Sequence, residues 1–278
     1  MKDLYLSSIY RRPSAECSDS FPWTLPIFKN LEHLDFTSRV TFFVGENGSG
    51  KSTLLEALAV GMQAIAAGSD QPEHDATLWV AHEFARAYRF VRHRHAKRAM
   101  FLRAEDVLGY TLTAARQRKE AGIAYKGGFG ALEAARRAEE QAELADIDKP
   151  SMAEAPERLK RRLTRKYSSD PVNRSHGETF LGVLDDRLRP GGLYLLDEPE
   201  TPLSPNRVLG LLSLIKERAG MNCQFIVATH SPILMAIPNA QILLLEDAKI
   251  EPVAYDDVEH VRTTRAFLAN PEKFMRHL

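Results

Sequence analysis

Apolar positions along the chain follow two spacings, and the change from one spacing to the other predicts strands that alternate with helices. Residues 39–44 are β-branched and aromatic, which is typical of a buried strand. After Ser204 and Pro205, apolar residues recur at i, i+3, i+4 and i+7 from Val208, which predicts a helix that ends at Gly220. Further strands are predicted at residues 4–10, 193–196, 224–228 and 241–245. This order predicts an α/β fold with a mainly parallel sheet that helices cover on both faces.

The middle of the chain has a different pattern. Apolar residues from Leu54 through Met62 to Ile65 lie at helical spacing, and a polar stretch follows them. From about residue 78 to 170 the sequence is highly charged and mostly helical in pattern, with a short strand candidate at 100–103. We therefore predict a single domain over residues 1–278, with a helical lobe inserted at 67–173.

Composition and charge are typical of a globular protein outside the membrane, but they do not indicate its binding partner. Lys plus Arg (37) equals Asp plus Glu (37), so the net charge indicates neither a nucleic acid nor a membrane. Cys17 and Cys223 lie far apart and do not have metal-ligand spacing. The N-terminus lacks the apolar run of a signal peptide, and no stretch approaches the roughly 20 apolar residues of a membrane span. We expect a cytoplasmic protein with no membrane partner.

A glycine-rich loop joins the strand predicted at 39–44 to the helix after it. Its sequence GENGSGKS fits G-x-x-x-x-G-K-[ST] in the strand–loop–helix context that this pattern requires. Glycines let backbone N–H groups surround phosphate oxygens, and the helix adds its positive N-terminal end. Lys51 is expected to reach the β- and γ-phosphates of ATP, and Ser52 to bind Mg²⁺. The predicted nucleotide-binding residues are Gly45, Glu46, Asn47, Gly48, Ser49, Gly50, Lys51, Ser52 and Thr53.

A second candidate site lies where the apolar strand LYLL ends in two carboxylates, Asp197 and Glu198. Asp197 is expected to hold Mg²⁺, directly or through water. Glu198 is expected to polarise the attacking water as a general base. Alone, such a strand end is equally typical of solvated acids in a turn. Together with the phosphate loop, it points to ATP hydrolysis.

A third candidate, His230, follows the apolar strand FIVAT. A lone histidine at a strand end is more often a structural residue or a strand cap. Because this histidine lies downstream of the acidic pair, we predict that it hydrogen-bonds the γ-phosphate and senses its loss. The predicted catalytic residues are therefore Glu198, His230 and Lys51.

These elements, in this order, resemble the ATP-binding-cassette ATPases. Between the phosphate loop and the acidic strand, RSHGET resembles the family's signature motif in its Ser-x-Gly-Glu form. Arg174, His176 and Glu178 depart from the transporter form Leu-Ser-Gly-Gly-Gln, whereas Ser175 and Gly177 remain. The resemblance assigns Ser175, Gly177 and Glu178 to γ-phosphate binding at a helix N-terminus. The strings LLDEPETPLSP and THSPIL look closer to stand-alone bacterial AAA/ABC-type ATPases, relatives of SMC and recombination-repair ATPases, than to transporter cassettes.

The resemblance implies a P-loop NTPase core of ABC-ATPase type that uses ATP and Mg²⁺. It also implies an ATP-gated homodimer, in which the signature of one subunit closes over ATP held by the phosphate loop of the other. Glu105 is a candidate for the family's glutamine loop. Tyr10, Phe21 and Trp23 are candidates for the aromatic residue that stacks on adenine.

Two basic clusters, at residues 86–103 and 158–166, are either nucleic-acid contacts or solvated faces. The function that we predict is ATP hydrolysis by an ABC-type ATPase that acts as an ATP-gated dimer in DNA maintenance or defence. One alternative is a nucleotide-binding switch subunit that regulates a partner effector protein. The other is the ATPase subunit of a membrane transporter.

Overall fold

The computed structural model of the protein describes residues 4–15, 19–66, 79–103 and 176–276. Within these ranges, the strands are β1 (Leu6–Arg11), β2 (His33–Asp35), β3 (Val40–Val44), β4 (Ile65–Ala66), β5 (Tyr88–Arg92), β6 (Arg98–Arg103), β7 (Gly192–Asp197), β8 (Gln224–Ala228), β9 (Gln241–Glu246) and β10 (Lys249–Pro252). The helices are α1 (Pro26–Asn30), α2 (Lys51–Gly61), α3 (Trp79–Arg86), α4 (His176–Arg187), α5 (Pro205–Gly220), α6 (Pro232–Met235), α7 (Glu259–Ala269) and α8 (Pro271–Met275). A short 3₁₀ helix spans Tyr255–Asp257.

A seven-stranded sheet in the order β10-β9-β3-β8-β7-β6-β4 forms the centre of the fold. Only the pairing of β10 with β9 is antiparallel, and every other neighbouring pair in this sheet is parallel. Every residue of β3 and β8 is buried, which explains why these strands appear in the sequence as continuous apolar runs. The prediction of an α/β fold with a mainly parallel sheet is confirmed.

Side chains of the central strands alternate between two apolar layers. In β7, Leu193 and Leu195 pack in the layer that contains α2, whereas Tyr194 and Leu196 pack in the layer that contains α4 and α5. All four side chains are fully buried, and burial of one leucine contributes about 1.5–3 kcal/mol. Helices α2 and α4 therefore cover opposite faces of the sheet.

A second, antiparallel sheet in the order β2-β1-β5 is linked to the central sheet by the side chain of Gln224. The Gln224 Oε1 atom accepts hydrogen bonds from the backbone N–H groups of Tyr5 and Leu6, at 2.8 and 2.9 Å. Its Nε2 group donates to the Leu6 carbonyl at 2.8 Å. Gln224 is fully buried at the start of β8, so these bonds replace its lost contacts with water.

Helix α2 ends earlier than the sequence pattern predicts. It stops at Gly61, where the Met62 N–H donates to the Leu58 carbonyl and closes the last turn. Gln63 then adopts a left-handed conformation with φ of 54°, which turns the chain out of the helix. Ile65 lies in β4 beside Met100, and it is 60% exposed, so its assignment to the helix was wrong.

The residues from 79 to 103 also differ from the mostly helical pattern that we predicted for the middle of the chain. After α3 they form β5 and β6, and β6 contains the short strand predicted at 100–103. The basic stretch 86–103 thus lies mainly on strands. The rest of the expected lobe, residues 67–78 and 104–173, lies outside the described residues and stays a prediction.

Residues 21–25 lead into the short helix α1, which begins at Pro26. No helix in the described ranges is long and apolar enough to cross a membrane.

Candidate nucleotide-binding and catalytic site

The phosphate loop, the acidic strand end and His230 meet at the carboxyl-terminal edge of the central sheet. Strands β3, β8 and β7 are parallel neighbours, so the residues that follow them lie side by side. Gly45 follows β3, Asp197 ends β7, and His230 follows β8 by two residues. This edge is where ligands bind in open parallel sheets.

The phosphate loop requires glycine at two positions for steric reasons. Gly45 has φ of +146°, and a Cβ atom there would lie 2.5 Å from the Leu245 carbonyl oxygen. Gly50 has φ of +99°, and a Cβ atom would lie 2.8 Å from the ring of the buried Phe28. The crest of the loop, at residues 46–48, is exposed to solvent. The backbone thus has the shape and the accessibility of a phosphate cradle.

Lys51 is buried at the start of α2 and points back into the loop. Its Nζ atom donates to the carbonyl oxygens of Gly45 and Glu46, each at 2.8 Å. Burial lowers the pKa of Lys51, while the negative charges of Glu198 and Asp197 oppose that effect. An anionic phosphate at this position would favour the charged ammonium.

Ser52 and Asp197 lie opposite each other between α2 and β7. The Ser52 Oγ atom donates to Asp197 Oδ1 at 3.1 Å. Burial raises the pKa of Asp197 to about 6, although the Ser52 hydrogen bond partly opposes this. A divalent cation would favour the charged carboxylate again.

These two oxygen donors fit Mg²⁺, which binds few protein ligands and completes its shell with water and phosphate oxygens. In the described part of the chain, no cluster of three or more His, Cys, Asp or Glu side chains is arranged to hold a metal by itself. The donor set is therefore one that suits Mg²⁺ delivered with a nucleotide. A closed metal centre made only of protein ligands would need more groups.

An ion pair beside Asp197 was not predicted. Arg103 lies next to Asp197 in the β6–β7 pairing, and its guanidinium contacts Glu56 of α2 at 2.5 Å. The positive charge of Arg103 favours the ionised form of Asp197. Glu105, the candidate for the glutamine loop, lies outside the described residues, two positions after Arg103 at the end of β6.

Glu198 and Asp197 have different partners, and the backbone turns sharply at Glu198. Glu198 has φ of +44°, an uncommon left-handed conformation that costs about 1–3 kcal/mol in a non-glycine residue. Its N–H still donates to the Ala228 carbonyl at 2.9 Å. The Glu198 Oε1 atom lies 3.7 Å from Nε2 of His230, and the carboxylate is partly exposed. The strained backbone at this position places a second carboxylate beside His230.

Glu200 is a further residue of the site that the sequence did not reveal. Its Oε1 atom accepts hydrogen bonds from the Thr229 hydroxyl at 2.5 Å and from the His230 N–H at 2.9 Å. Burial raises the pKa of Glu200, and these hydrogen bonds oppose that rise. Glu200 therefore fixes the backbone at His230. This role depends on the contact between two strand ends, which the sequence alone does not show.

His230 has one ring nitrogen engaged and one available. Its Nδ1 atom lies 3.4 Å from Nε2 of His260 on α7. Its Nε2 atom is buried and has no hydrogen-bond partner among the described residues. Burial and the charge of Lys51 lower the pKa of His230, which favours a neutral ring with a single N–H group.

The signature residues are described only in part. Gly177 and Glu178 lie in the first turn of α4, and Ser175 lies outside the described residues. Of the adenine-stacking candidates, Tyr10 is 44% exposed and stacks on His33, and Phe21 is 47% exposed. Trp23 is only 1% exposed because it packs in the core against Phe84 and Tyr88, so it is not available to adenine.

Two family models match the chain. One, described as "AAA domain", matches residues 25–147, and the other, described as "AAA domain, putative AbiEii toxin, Type IV TA system", matches residues 179–236. The DNA replication and repair protein RecF of two Leptospira interrogans strains is 54% identical over 39 residues, which are 13% of this chain and 11% of RecF. The chain thus matches only a small part of the length of this curated relative.

Similar solved structures include the SMC head domain from Thermotoga maritima, with 16% identity, a TM-score of 0.41, and coverage of 90% of this chain and 100% of that one. Another is CbiO1 from Clostridium perfringens, part of the ABC transporter complex CbiONQ, with 13% identity, a TM-score of 0.44, and coverage of 99% and 100%. Both similarities are distant. The first AAA-domain match contains the phosphate loop and the second contains the acidic strand end, and the fold brings both to one edge of the sheet. The chain is thus similar to AAA domains over both of the segments that build this site.

Proposed function

We propose that the protein hydrolyses ATP at the carboxyl-terminal edge of the central sheet. The observation that carries this proposal is the contact between Ser52 Oγ and Asp197 Oδ1, at 3.1 Å, next to the buried ammonium of Lys51. It joins the phosphate loop to the acidic strand end in the arrangement that phosphoryl transfer needs. Glu198 and His230 lie beside this contact, on the side where a γ-phosphate would extend.

Each side chain then has one task in the reaction. Lys51 exchanges its bonds to two loop carbonyls for bonds to β- and γ-phosphate oxygens. Glu198 accepts a proton from water as the water oxygen attacks the γ-phosphorus and ADP leaves. His230 donates from Nε2 to a γ-phosphate oxygen. Ser52 and Asp197 would hold Mg²⁺, which neutralises charge that develops on the phosphates.

The proposed assembly is a homodimer in which ATP lies between two subunits. Its support in this fold is the position of α4, which packs in the apolar layer opposite α2. The first turn of α4 carries Gly177 and Glu178, whereas α2 begins at the phosphate loop. Because the signature and the phosphate loop lie on opposite faces of one sheet, each ATP would be held by the phosphate loop of one subunit and the signature of the other. A homodimer would contain two such sites.

Phosphate release in the presence of MgATP tests the activity. We expect Asp197→Asn to lower the turnover number by about 100-fold or more, because the amide keeps the shape of the side chain and removes the charge that holds the cation. Asp185→Asn is a matched control on α4, where the carboxylate pairs with Arg218 at 2.6 Å.

Equal turnover in the wild type and in Asp197→Asn would contradict the proposal. If the wild type binds ATP and its turnover equals that of Glu198→Gln, the nucleotide-binding switch with a partner effector is the better account. Co-purification with an integral membrane protein would favour the transporter subunit instead.

A basic cleft at the other edge of the sheet favours nucleic acid as the partner. It has a volume of about 850 Å³ and lies between the start of β6, the loop before it, and the segment after α4. Its basic lining residues are Arg92, Arg94, His95, Lys97, Arg98, Arg187 and Arg189. No Asp or Glu is among the described residues that line it.

The cleft is one strand length from the ATP site, since β6 and β7 run from the cleft toward Asp197 over about 17–20 Å. Clustered cations of this kind bind nucleic-acid phosphates without reading base sequence. A setting in DNA maintenance or defence is also supported by the name of RecF, a DNA replication and repair protein, and by the description of the second family model, which includes a type IV TA system. We propose that the cleft contacts a DNA backbone.

Charge reversal in the cleft tests this contact. We expect Lys97→Glu/Arg98→Glu to weaken binding to a fluorescent DNA duplex by about 10- to 100-fold near 0.1 M salt and to reduce the salt dependence of binding. Lys216→Glu/Lys249→Glu changes the net charge equally at exposed positions elsewhere. Equal losses in both variants would mean that DNA senses only the net charge, and the cleft would not be the binding site.

A further inference from the structure

A second histidine connects the catalytic edge to the C-terminal helix α7. His260 lies in the first turn of α7, and its Nε2 atom is 3.4 Å from Nδ1 of His230. The two rings meet edge to face, with 5.1 Å between their centroids. The same Nε2 atom lies 3.8 Å from Oε1 of Glu46 in the phosphate loop. His260 thus touches both the loop and the proposed γ-phosphate sensor.

The contact between the two histidines restricts where protons reside. A neutral imidazole carries one N–H group, so its other nitrogen is an acceptor. If Nδ1 of His230 accepts a hydrogen bond, the proton of His230 must be on Nε2. That atom is the buried one without a partner, on the side of Glu198 and the proposed γ-phosphate.

By distance alone, either ring could donate in this contact. Glu198 Oε1 lies 3.7 Å from Nε2 of His230, and Glu46 Oε1 lies 3.8 Å from Nε2 of His260, so the nearby negative charge favours a proton on each Nε2 atom. The Glu46 distance is too long for a hydrogen bond, which leaves Nδ1 of His230 as the acceptor for Nε2–H of His260 among the described residues. The Glu46 side chain is also 76% exposed, so water solvates its carboxylate. The proton at Nε2 of His260 therefore points to His230, with Glu46 acting only as a nearby negative charge.

We propose that His260 is a positioning residue that donates a hydrogen bond to Nδ1 of His230 and thereby holds His230 in the tautomer that can donate from Nε2 to the γ-phosphate. This inference rests on the proposed function. The same arrangement of a partner that selects the tautomer of a reactive histidine is general in enzymes and metal sites. Its consequence is that α7 is part of the nucleotide site.

Nitrogen-15 NMR of the histidine rings tests the tautomer without any need for turnover. In the wild-type chain without nucleotide, His230 is expected to carry its proton on Nε2, with the resonance assigned by its loss in His230→Gln. In His260→Leu the proton is expected to distribute between Nε2 and Nδ1. His260→Gln is expected to restore the wild-type tautomer, because its amide nitrogen donates from nearly the same position as Nε2.

Kinetics give a second readout on the same variants. We expect His260→Leu to lower kcat about tenfold with a small change in KM, the effect of one hydrogen bond that matters in the transition state. His260→Gln should regain most of this loss, and Thr264→Ala, an exposed change on the same helix, should behave like wild type.

Three results would overturn the inference: a proton on Nδ1 of His230 in the wild type, an unchanged tautomer in His260→Leu, or equal losses in His260→Leu and His260→Gln. These are distinct from failure of the proposed function. If the wild type releases no phosphate, the ATPase proposal fails, whereas the NMR result still decides the role of His260.

Discussion

ATP binding should fall by about 100-fold when Lys51 is replaced by alanine, because two charge-assisted hydrogen bonds to phosphate oxygens disappear. The loss is limited to this size because Nζ already donates to the Gly45 and Glu46 carbonyls, at 2.8 Å, in the nucleotide-free protein. ATP therefore replaces two existing bonds of Lys51. Titration calorimetry with ATP and Mg²⁺ measures the change. At an ATP concentration that saturates the wild type, the Lys51→Ala variant should show no turnover.

Because Lys51 is buried, an alanine variant also loses packing, and stability has to be separated from binding. Lys51→Met keeps the aliphatic stem and removes the ammonium group with its charge and its two bonds to loop carbonyls. We expect it to unfold at the wild-type temperature or close to it and to bind ATP as weakly as Lys51→Ala. Lys216→Ala is a control at an exposed lysine of α5. ATP affinity in Lys51→Met equal to that of the wild type would remove the phosphate loop from the nucleotide site.

The second large effect is expected for Glu198→Gln. The amide cannot accept the proton of the attacking water, so turnover should fall by about 100- to 10,000-fold. ATP binding should remain, because the carboxylate lies beside His230 and makes no contact with Lys51 or Ser52 in the described structure. ATP would then persist between subunits, and a dimer should accumulate.

Light scattering with and without MgATP measures this dimer directly. Glu198→Gln should have a mass near the monomer value of 31.2 kDa without nucleotide and near twice that value with it. Glu217→Gln, an exposed acid of α5, should show neither the loss of turnover nor the stable dimer. A monomer at saturating ATP and micromolar protein would contradict the sandwich dimer. A further increase in mass with DNA would support the nucleic-acid partner.

The sequence predicted those parts of the fold whose signals are local. Helix α5 begins at Pro205 after Ser204 and ends at Gly220, as the apolar spacing indicates. Strand β8 has the predicted limits, and its apolar run FIVA lies between the polar residues Gln224 and Thr229. The contact between Ser52 and Asp197 also followed from local patterns, since each motif specifies the strand end on which it lies.

Features that depend on distant partners were not predictable in the same way. Strand β5 forms because it pairs with β1, and without that partner its Arg-rich sequence resembles an exposed helix. Trp23 looked available to a ligand, but α3 and β5 supply the rings that bury it. Glu200 and His260 contact His230 because the fold brings their strand and helix ends together. No regular spacing in the sequence indicates these contacts.

The Gln224 side chain gives the two sheets a common mechanical anchor. It grips the backbone of Tyr5 and Leu6 at the head of β1, and β1 pairs along its length with β5, which ends at Arg92 in the basic cleft. His230 follows the other end of β8 by two residues. A force on β5 would therefore reach β8, the strand that precedes His230, through β1 and the buried Gln224 amide, alongside the bond that Gln241 donates to the Asp35 carbonyl.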